Sequence, residues 1–157
     1  MQVIQFVDTS VLLEILNVPG HSGRHEEILA EMDRRMAAKI SFVLPVTTII
    51  ETGNHIAQST GDRRGAAKRF VKALEAARDK QPPWTIRDVR WDSDFLESFV
   101  GGGSTGSDLL THLSNTTLGS GDLAILVERD QFAKGVAARV EIWSLDLQLA
   151  AFSGDVP

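Results

Sequence analysis

Four acidic residues stand where the chain turns from apolar to polar. Asp8 ends the run Val3 to Val7 in "VIQFVDTSVLLEIL", and Glu51 lies in "TTIIETGN", just after a second apolar run. Asp122 opens "GDLAILV", and Asp146 follows "RVEIWSL". Singly, each can be read as a helix cap. Asp8 and Asp146 occupy N-cap positions, where Asp is preferred. Thr48 to Glu51 spells a capping box, and Asp122 falls in a first turn, where negative charge suits the helix dipole. Capping does not require the four to meet. A ligand site in an open parallel sheet does, because such sites form at the carboxyl ends of the strands. Carboxylates without Cys or His nearby are hard oxygen donors, suited to Mg²⁺ or Mn²⁺. Such ions activate water and shield phosphate oxygens during in-line attack.

The elements that must carry these acids follow from hydrophobic pattern. Val3 to Val7 reads as a buried strand and Thr9 to Leu16 as a short helix ending at Asn17-Val18-Pro19-Gly20. Arg24 to Lys39 carries Ile28, Leu29, Met32 and Met36 at helical spacing. Ile40 to Val46 reads as a second strand, followed by a helix with Ile49, Ile50, Ile56 and Ala57 on one face. Asp62 to Lys80 is a long helix with Ala67, Phe70, Val71, Leu74 and Ala77 inward. "WTIRDV" after Pro82-Pro83 is a third candidate strand, and Ser93 to Val100 a short helix. "GGGSTGS", Gly101 to Ser107, reads as a mobile loop before a helical Asp108 to Leu113. Gly121 to Lys134 is a helix that is apolar nearly all round. "RVEIWSL" is a fourth strand, and Asp146 to Phe152 a last helix. Strands alternating with helices, joined by connections long enough to cross over, predict a parallel sheet covered by helices on both faces. No linker divides residues 1–157, so a single domain is expected.

Composition narrows the function classes. The chain has 157 residues, 43% hydrophobic and 24% charged, with a formal net charge of −5. An acidic chain does not bind nucleic acid by bulk charge, though a local basic patch remains open to it. There are no cysteines, which removes disulfides, thiolate metal sites and cysteine nucleophiles and suits a reducing, cytoplasmic setting. No apolar run approaches the roughly 20 residues that span a bilayer. Met1 runs almost directly into the first strand, as expected without a signal peptide.

Taken in order, "FVDTSVLL", "TTIIETGN", "GSGDLAILVE" and "IWSLDLQLAAF" resemble the four acidic motifs of PIN-domain nucleases, across about Gln2 to Phe152. The resemblance implies a PIN-like three-layer α/β/α sandwich around a short parallel sheet of four to five strands. It implies Asp8, Glu51, Asp122 and Asp146 as the catalytic, Mg²⁺- or Mn²⁺-binding acids, with Thr9, Ser10 and Ser144 as polar support. The implied activity is endoribonuclease cleavage by metal-activated water, leaving 5′-phosphate and 3′-hydroxyl ends. Many family members are VapC-like toxins, so a small antitoxin partner and a homodimer are also implied. The family often carries Thr where Ser144 stands. The glycine stretch lengthens the connection before the third acid and makes Asp108 a rival to Asp122. A last edge strand should follow the final helix; only "SGDVP" remains there, so that strand is expected to be absent or rudimentary.

Other features weigh less. Arg64, Lys68 and Lys72 recur every four residues and form one stripe, flanked by Arg63 and Arg69; it is either a solvated face or a rail for RNA phosphates. His21 and His25 have a spacing zinc could use, but no acid motif completes a site. His55 is expected to face solvent. The glycine stretch lacks the Gly-Lys-Ser/Thr ending of a phosphate-binding loop. Two rival functions remain. One is a non-catalytic interaction or RNA-binding module on the same fold. The other is phosphotransfer on Asp8, which needs a second Asp two residues on, where Ser10 stands.

Overall fold

The structure, a computed structural model, describes residues 1–154. It is a mixed α/β fold with an open sheet of three parallel strands. Strand β1 (Val3–Val7) lies between β2 (Ser41–Val43) and β3 (Arg139–Trp143). Phe6 is in register with Val43 on one side and Ile142 on the other. Helices α1 (Thr9–Ile15) and α2 (His25–Ala37) carry the chain from β1 to β2. Helices α3 (Val46–Gln58), α4 (Arg63–Arg78), α5 (Ser93–Gly101), α6 (Leu109–Asn115) and α7 (Ser120–Lys134) intervene before β3, and α8 (Leu147–Ala150) follows it. The chain thus leaves β1 toward one neighbour and reaches the other only at β3. The carboxyl ends of β1 and β3 flank a topological switch point, the usual place for a ligand in such sheets.

Alternate strand residues feed two hydrophobic clusters, as the period-two geometry of a strand requires. Val7, Phe42 and Trp143 pack with Val11, Leu12, Ile28, Ile56 and Ala66. Ile4, Phe6, Val43, Val140 and Ile142 pack with Ile125, Leu126 and Leu149. Helix α7 is buried continuously from Leu123 to Arg129, because Leu123 and Val127 also meet Phe95 of α5 in a third cluster. An all-round apolar helix is what that position needs.

Several expectations are corrected. Among the described residues the sheet has three strands rather than four to five. "WTIRDV" reduces to one bridge, with the Phe42 N–H donating to the Pro83 carbonyl at 2.8 Å and the Thr85 N–H to the Phe42 carbonyl at 2.9 Å. The ladder stops because β2 turns into α3 at Pro45, leaving residues 86–90 exposed and without a partner strand. Ile50 and Val71, expected inward, are exposed; α3 turns Thr48, Thr52 and Ile56 inward instead. The glycine stretch is a hydrogen-bonded turn rather than free chain. Gly102 ends α5 at φ 84°, where a Cβ would lie 1.7 Å from the Ser107 carbonyl oxygen, so only glycine fits. Thr105 Oγ1 lies 2.8 and 2.9 Å from the Gly102 and Ser107 carbonyl oxygens, its one proton shared between them. At the far edge, the Ile142 N–H donates to the Ser153 carbonyl at 2.9 Å. The rest of the stretch expected to hold a rudimentary edge strand, residues 155–157, lies outside the described residues.

Candidate active site

Asp8 leaves the end of β1 at the N-cap position of α1 but makes no side-chain cap bond. Its carboxylate faces β3 instead. Oδ2 accepts from Ser10 Oγ at 2.8 Å and from Ser144 Oγ at 2.7 Å. Each hydroxyl in turn accepts a backbone N–H at 3.0 Å, Ser10 from Leu145 and Ser144 from Asp146. The Asp8 N–H donates to the Trp143 carbonyl at 3.0 Å. Two serines therefore lace the ends of adjacent strands together through one buried carboxylate. Both hydroxyls are spent as donors on Asp8, and charge-assisted bonds of this type hold a carboxylate in place strongly.

Glu51 arrives from α3. The expected capping box does not form: α3 starts at Val46, and Thr48 lies inside it, donating to the Val7 carbonyl at 2.9 Å. That bond docks α3 on the end of β1, one helical turn before Glu51. Asp122 sits in the first turn of α7. Beside it, Gly121 leaves room for the Glu51 carboxylate, since a Cβ there would stand 2.7 Å from Oε1. Asp146 follows β3 and does act as a cap, accepting the Gln148 N–H at 2.9 Å. Asp108 is resolved as a cap of α6: it accepts the Thr111 N–H at 2.8 Å, is exposed, and does not line the acidic cavity.

Asp8, Glu51, Asp122 and Asp146, from four separate parts of the chain, line one open cavity of about 380 Å³. They sense one another. Asp122 is pushed up to about 6, first by burial and then by the charges of Asp8 and Asp146, with the Gly119 N–H pulling down. Glu51 is also raised, by burial, then by Asp8 and Asp122. Thr9 Oγ1 is buried short of proper hydrogen-bond geometry, yet it lies near enough to Glu51 to favour its charge slightly. Like charges gathered in one cleft produce this pattern. The acids share a cavity rather than a point: among the described residues, no three Asp, Glu or His side chains form a ready metal shell. The donor chemistry is nonetheless that of a hard divalent cation.

Three titratable lining residues were not expected here. Glu14 is a fifth acid, buried and accepting the Arg24 N–H at 3.0 Å. His55, expected in solvent, is half-buried beside His21, their rings 4.7 Å apart, and both line the cavity. The His55 imidazole is lowered by burial and then by His21. His25 goes elsewhere, its Nδ1 meeting the Glu14 carbonyl, so the His21–His25 pair is not a unit. A sequence clue existed for His55, one helical turn beyond Glu51. None existed for His21, which reaches the cavity through a turn.

Arg64, Lys68 and Lys72 are exposed on α4 and line a shallow depression of that helix together with Val71. No ion pair engages them among the described residues. They do not line the acidic cavity. Arg69 differs: its guanidinium donates to the Leu16 carbonyl at 2.7 Å and the Asn17 carbonyl at 3.2 Å, closing the end of α1. Among the described residues, no helix is long and apolar enough to cross a membrane. The chain matches no protein-family model, no curated protein and no solved structure.

Proposed function

We propose that the chain is a metal-dependent phosphodiesterase of the PIN type, an endoribonuclease, with the α/β/α layering that type implies. The observation that carries the reading is the common cavity of Asp8, Glu51, Asp122 and Asp146, where burial and mutual repulsion raise two of the four. Capping explains Asp146 and not Asp8 or Glu51. Asp8, Asp122 and Asp146 would hold Mg²⁺ or Mn²⁺, with Glu51 completing the set. Bound there, the ion would supply charge neutralisation and a nucleophile at neutral pH.

The chain's own groups do the rest. Ser10 and Ser144 fix the Asp8 carboxylate, so its oxygen is oriented before any ligand arrives. Glu51, from α3, would complete the ligand set or orient the attacking water. The exposed stripe Arg64, Lys68 and Lys72 offers cations to the RNA backbone, which an acidic chain needs locally. Nothing in this scheme uses the ribose 2′-hydroxyl, so DNA stays open beside RNA. The resemblance to VapC-like toxins extends the proposal to a small antitoxin partner, a homodimer and a cytoplasmic setting.

The test is cleavage of a mixed RNA pool by the purified chain in Mn²⁺, with and without chelator, for wild type and Asp8→Asn. Metal-dependent products with 5′-phosphate ends, absent in the variant, are expected. RNA binding without turnover at high enzyme and metal would make the chain a non-catalytic module.

A further inference from the structure

A second cavity, of about 440 Å³, lies away from the acids, between α7 and the irregular segment that follows Trp84. Its floor is apolar: Phe6, Val43 and Phe132, with Phe6 and Phe132 in edge contact at 5.3 Å. Its mouth is cationic. Arg87 lies over the Phe132 ring at 5.3 Å and donates to the Gly135 carbonyl at 2.9 Å, so the guanidinium is held in place. Arg90 and Lys134 also line it, and Asp88 is the one acid besides Glu128 among the described residues that line it.

Glu128 lines the same cavity and is only 6% exposed. Oε1 accepts the Val46 N–H at 3.2 Å, at a helix start that has no side-chain cap of its own. Oε2 is buried and has no hydrogen-bond partner among the described residues. Tying α7 to α3 accounts for one oxygen. The other is a polar atom closed off behind the cavity wall, where the neutral carboxyl is favoured over the charged one. Burial also pushes the carboxyl up to about 7, against the Val46 N–H, so near neutral pH it carries a proton much of the time. With Oε1 occupied as an acceptor, that proton belongs on the shielded Oε2, and the cavity wall carries no negative charge at Glu128.

We infer that this cavity is a binding site for a small amphipathic anion. Its apolar, aromatic-sized body would lie against Phe6, Val43 and Phe132. Its carboxylate, sulfonate or phosphate would meet Arg87, Arg90 and Lys134, next to a Glu128 carboxyl kept neutral by burial. The volume lies within the roughly 300–1,000 Å³ of small-molecule pockets, and the pattern of apolar walls with few convergent polar groups is theirs. Three cations against Asp88 at the mouth disfavour an amine. This inference does not rest on the nuclease reading, because none of these side chains lines the acidic cavity.

The probe is 1-anilinonaphthalene-8-sulfonate, titrated by fluorescence and mapped by amide chemical-shift changes. One saturable site is expected, with shifts at Val43, Leu44 and Gln131. Arg90→Gln/Lys134→Gln, at two positions on the rim, should weaken it at least fivefold. The uncharged N-phenyl-1-naphthylamine should bind more weakly and ignore that double change. In wild type, affinity should fall between pH 6 and 8.5 as Glu128 loses its proton beside Arg87, Asp88, Arg90 and Lys134; in Glu128→Gln it should stay level. No saturable binding would overturn the inference. So would equal affinity in the double variant, or shifts confined to the exposed Leu96, Val100, Leu110 and Leu113 of α5 and α6.

Discussion

Replacing Asp122 by Asn should stabilise the metal-free protein at neutral pH and above. In the fold the Asp122 carboxyl is pushed up to about 6, chiefly by burial and then by Asp8 and Asp146. In the unfolded chain it titrates near 3.9, the ordinary value. The folded state therefore keeps its proton to higher pH. The stability this confers is whole below about pH 4 and is lost as pH rises through about 6. A gap of about two pH units corresponds to roughly 3 kcal/mol. The side chain is only part-buried, and solvent screening reduces the figure to about 1–2 kcal/mol. For a chain of this length 1 kcal/mol moves Tm by about 2–4 °C, so the variant should melt about 2–8 °C higher at pH 8 in chelator. Near pH 4 the difference should vanish, because wild-type Asp122 is then largely neutral in the fold. Asn keeps an oxygen for the Gly119 N–H, so the start of α7 is not disturbed. Saturating Mn²⁺ should reverse the order. At a hundredfold excess over Kd it adds about 2.7 kcal/mol to wild type and little to the variant. The assay is thermal melting of both proteins near pH 4, 6 and 8, in chelator and in Mn²⁺. An Asp122→Asn protein less stable than wild type at pH 8, or a difference that ignores pH, would refute the repulsion on which the site rests.

Gly121→Ala should raise α7 propensity by up to about 1 kcal/mol yet abolish metal-dependent cleavage, because its Cβ would displace the Glu51 carboxylate from 2.7 Å; Tm and cleavage rate measured together check this. Ser144→Ala removes one donor from Asp8 and the acceptor of the Asp146 N–H, costing about 1–3 kcal/mol in urea unfolding, whereas Ser144→Thr should recover most of it. Glu128→Gln should gain about 1–3 kcal/mol over wild type above pH 7 and nothing near pH 4, read from urea midpoints, since the folded carboxyl is raised to about 7 and its stability is lost over that window. Changing Arg64, Lys68 and Lys72 to Gln should weaken RNA binding and flatten its salt dependence by roughly one unit per lost phosphate contact; an unchanged slope returns the stripe to solvent.

The positions of the acids were legible because each follows a sharp change of pattern. A buried β1 followed by Asp-Thr-Ser, and a β3 followed by Ser-Leu-Asp, place side chains at the carboxyl ends of the strands. Helix α7 was legible for a similar reason: an all-round apolar run has to be buried between other elements. "WTIRDV" misled because strand propensity is local while a ladder needs a partner, and β2 supplies only Phe42 before turning into α3. Ile50 and Val71 misled because hydrophobicity marks what can be buried, not what must be. The facing side of α3 was instead chosen by Thr48, whose hydroxyl bonds the Val7 carbonyl. His21 reaches the acidic cavity through a turn that no periodicity encodes, whereas Glu14, one helical turn after Ser10 on α1, was open to the same spacing argument as His55. The choice between Asp108 and Asp122 was also beyond the sequence, since both open helices; only their three-dimensional surroundings separate a solvent-facing cap from a cavity acid.

Manganese binding tests the central claim most directly, because it asks whether the acids act as one site before any substrate is chosen. Free Mn²⁺ can be followed by its electron paramagnetic resonance signal while the metal-free protein is titrated in. Wild type should remove Mn²⁺ from solution in a saturable way. Asp8→Asn and Asp122→Asn should each lose most of that binding while still folding, and Asp108→Asn, at the exposed cap of α6, should bind as wild type does. Equal Mn²⁺ uptake by wild type, Asp8→Asn and Asp122→Asn, or none by wild type, would contradict a shared metal site and return these acids to separate structural roles.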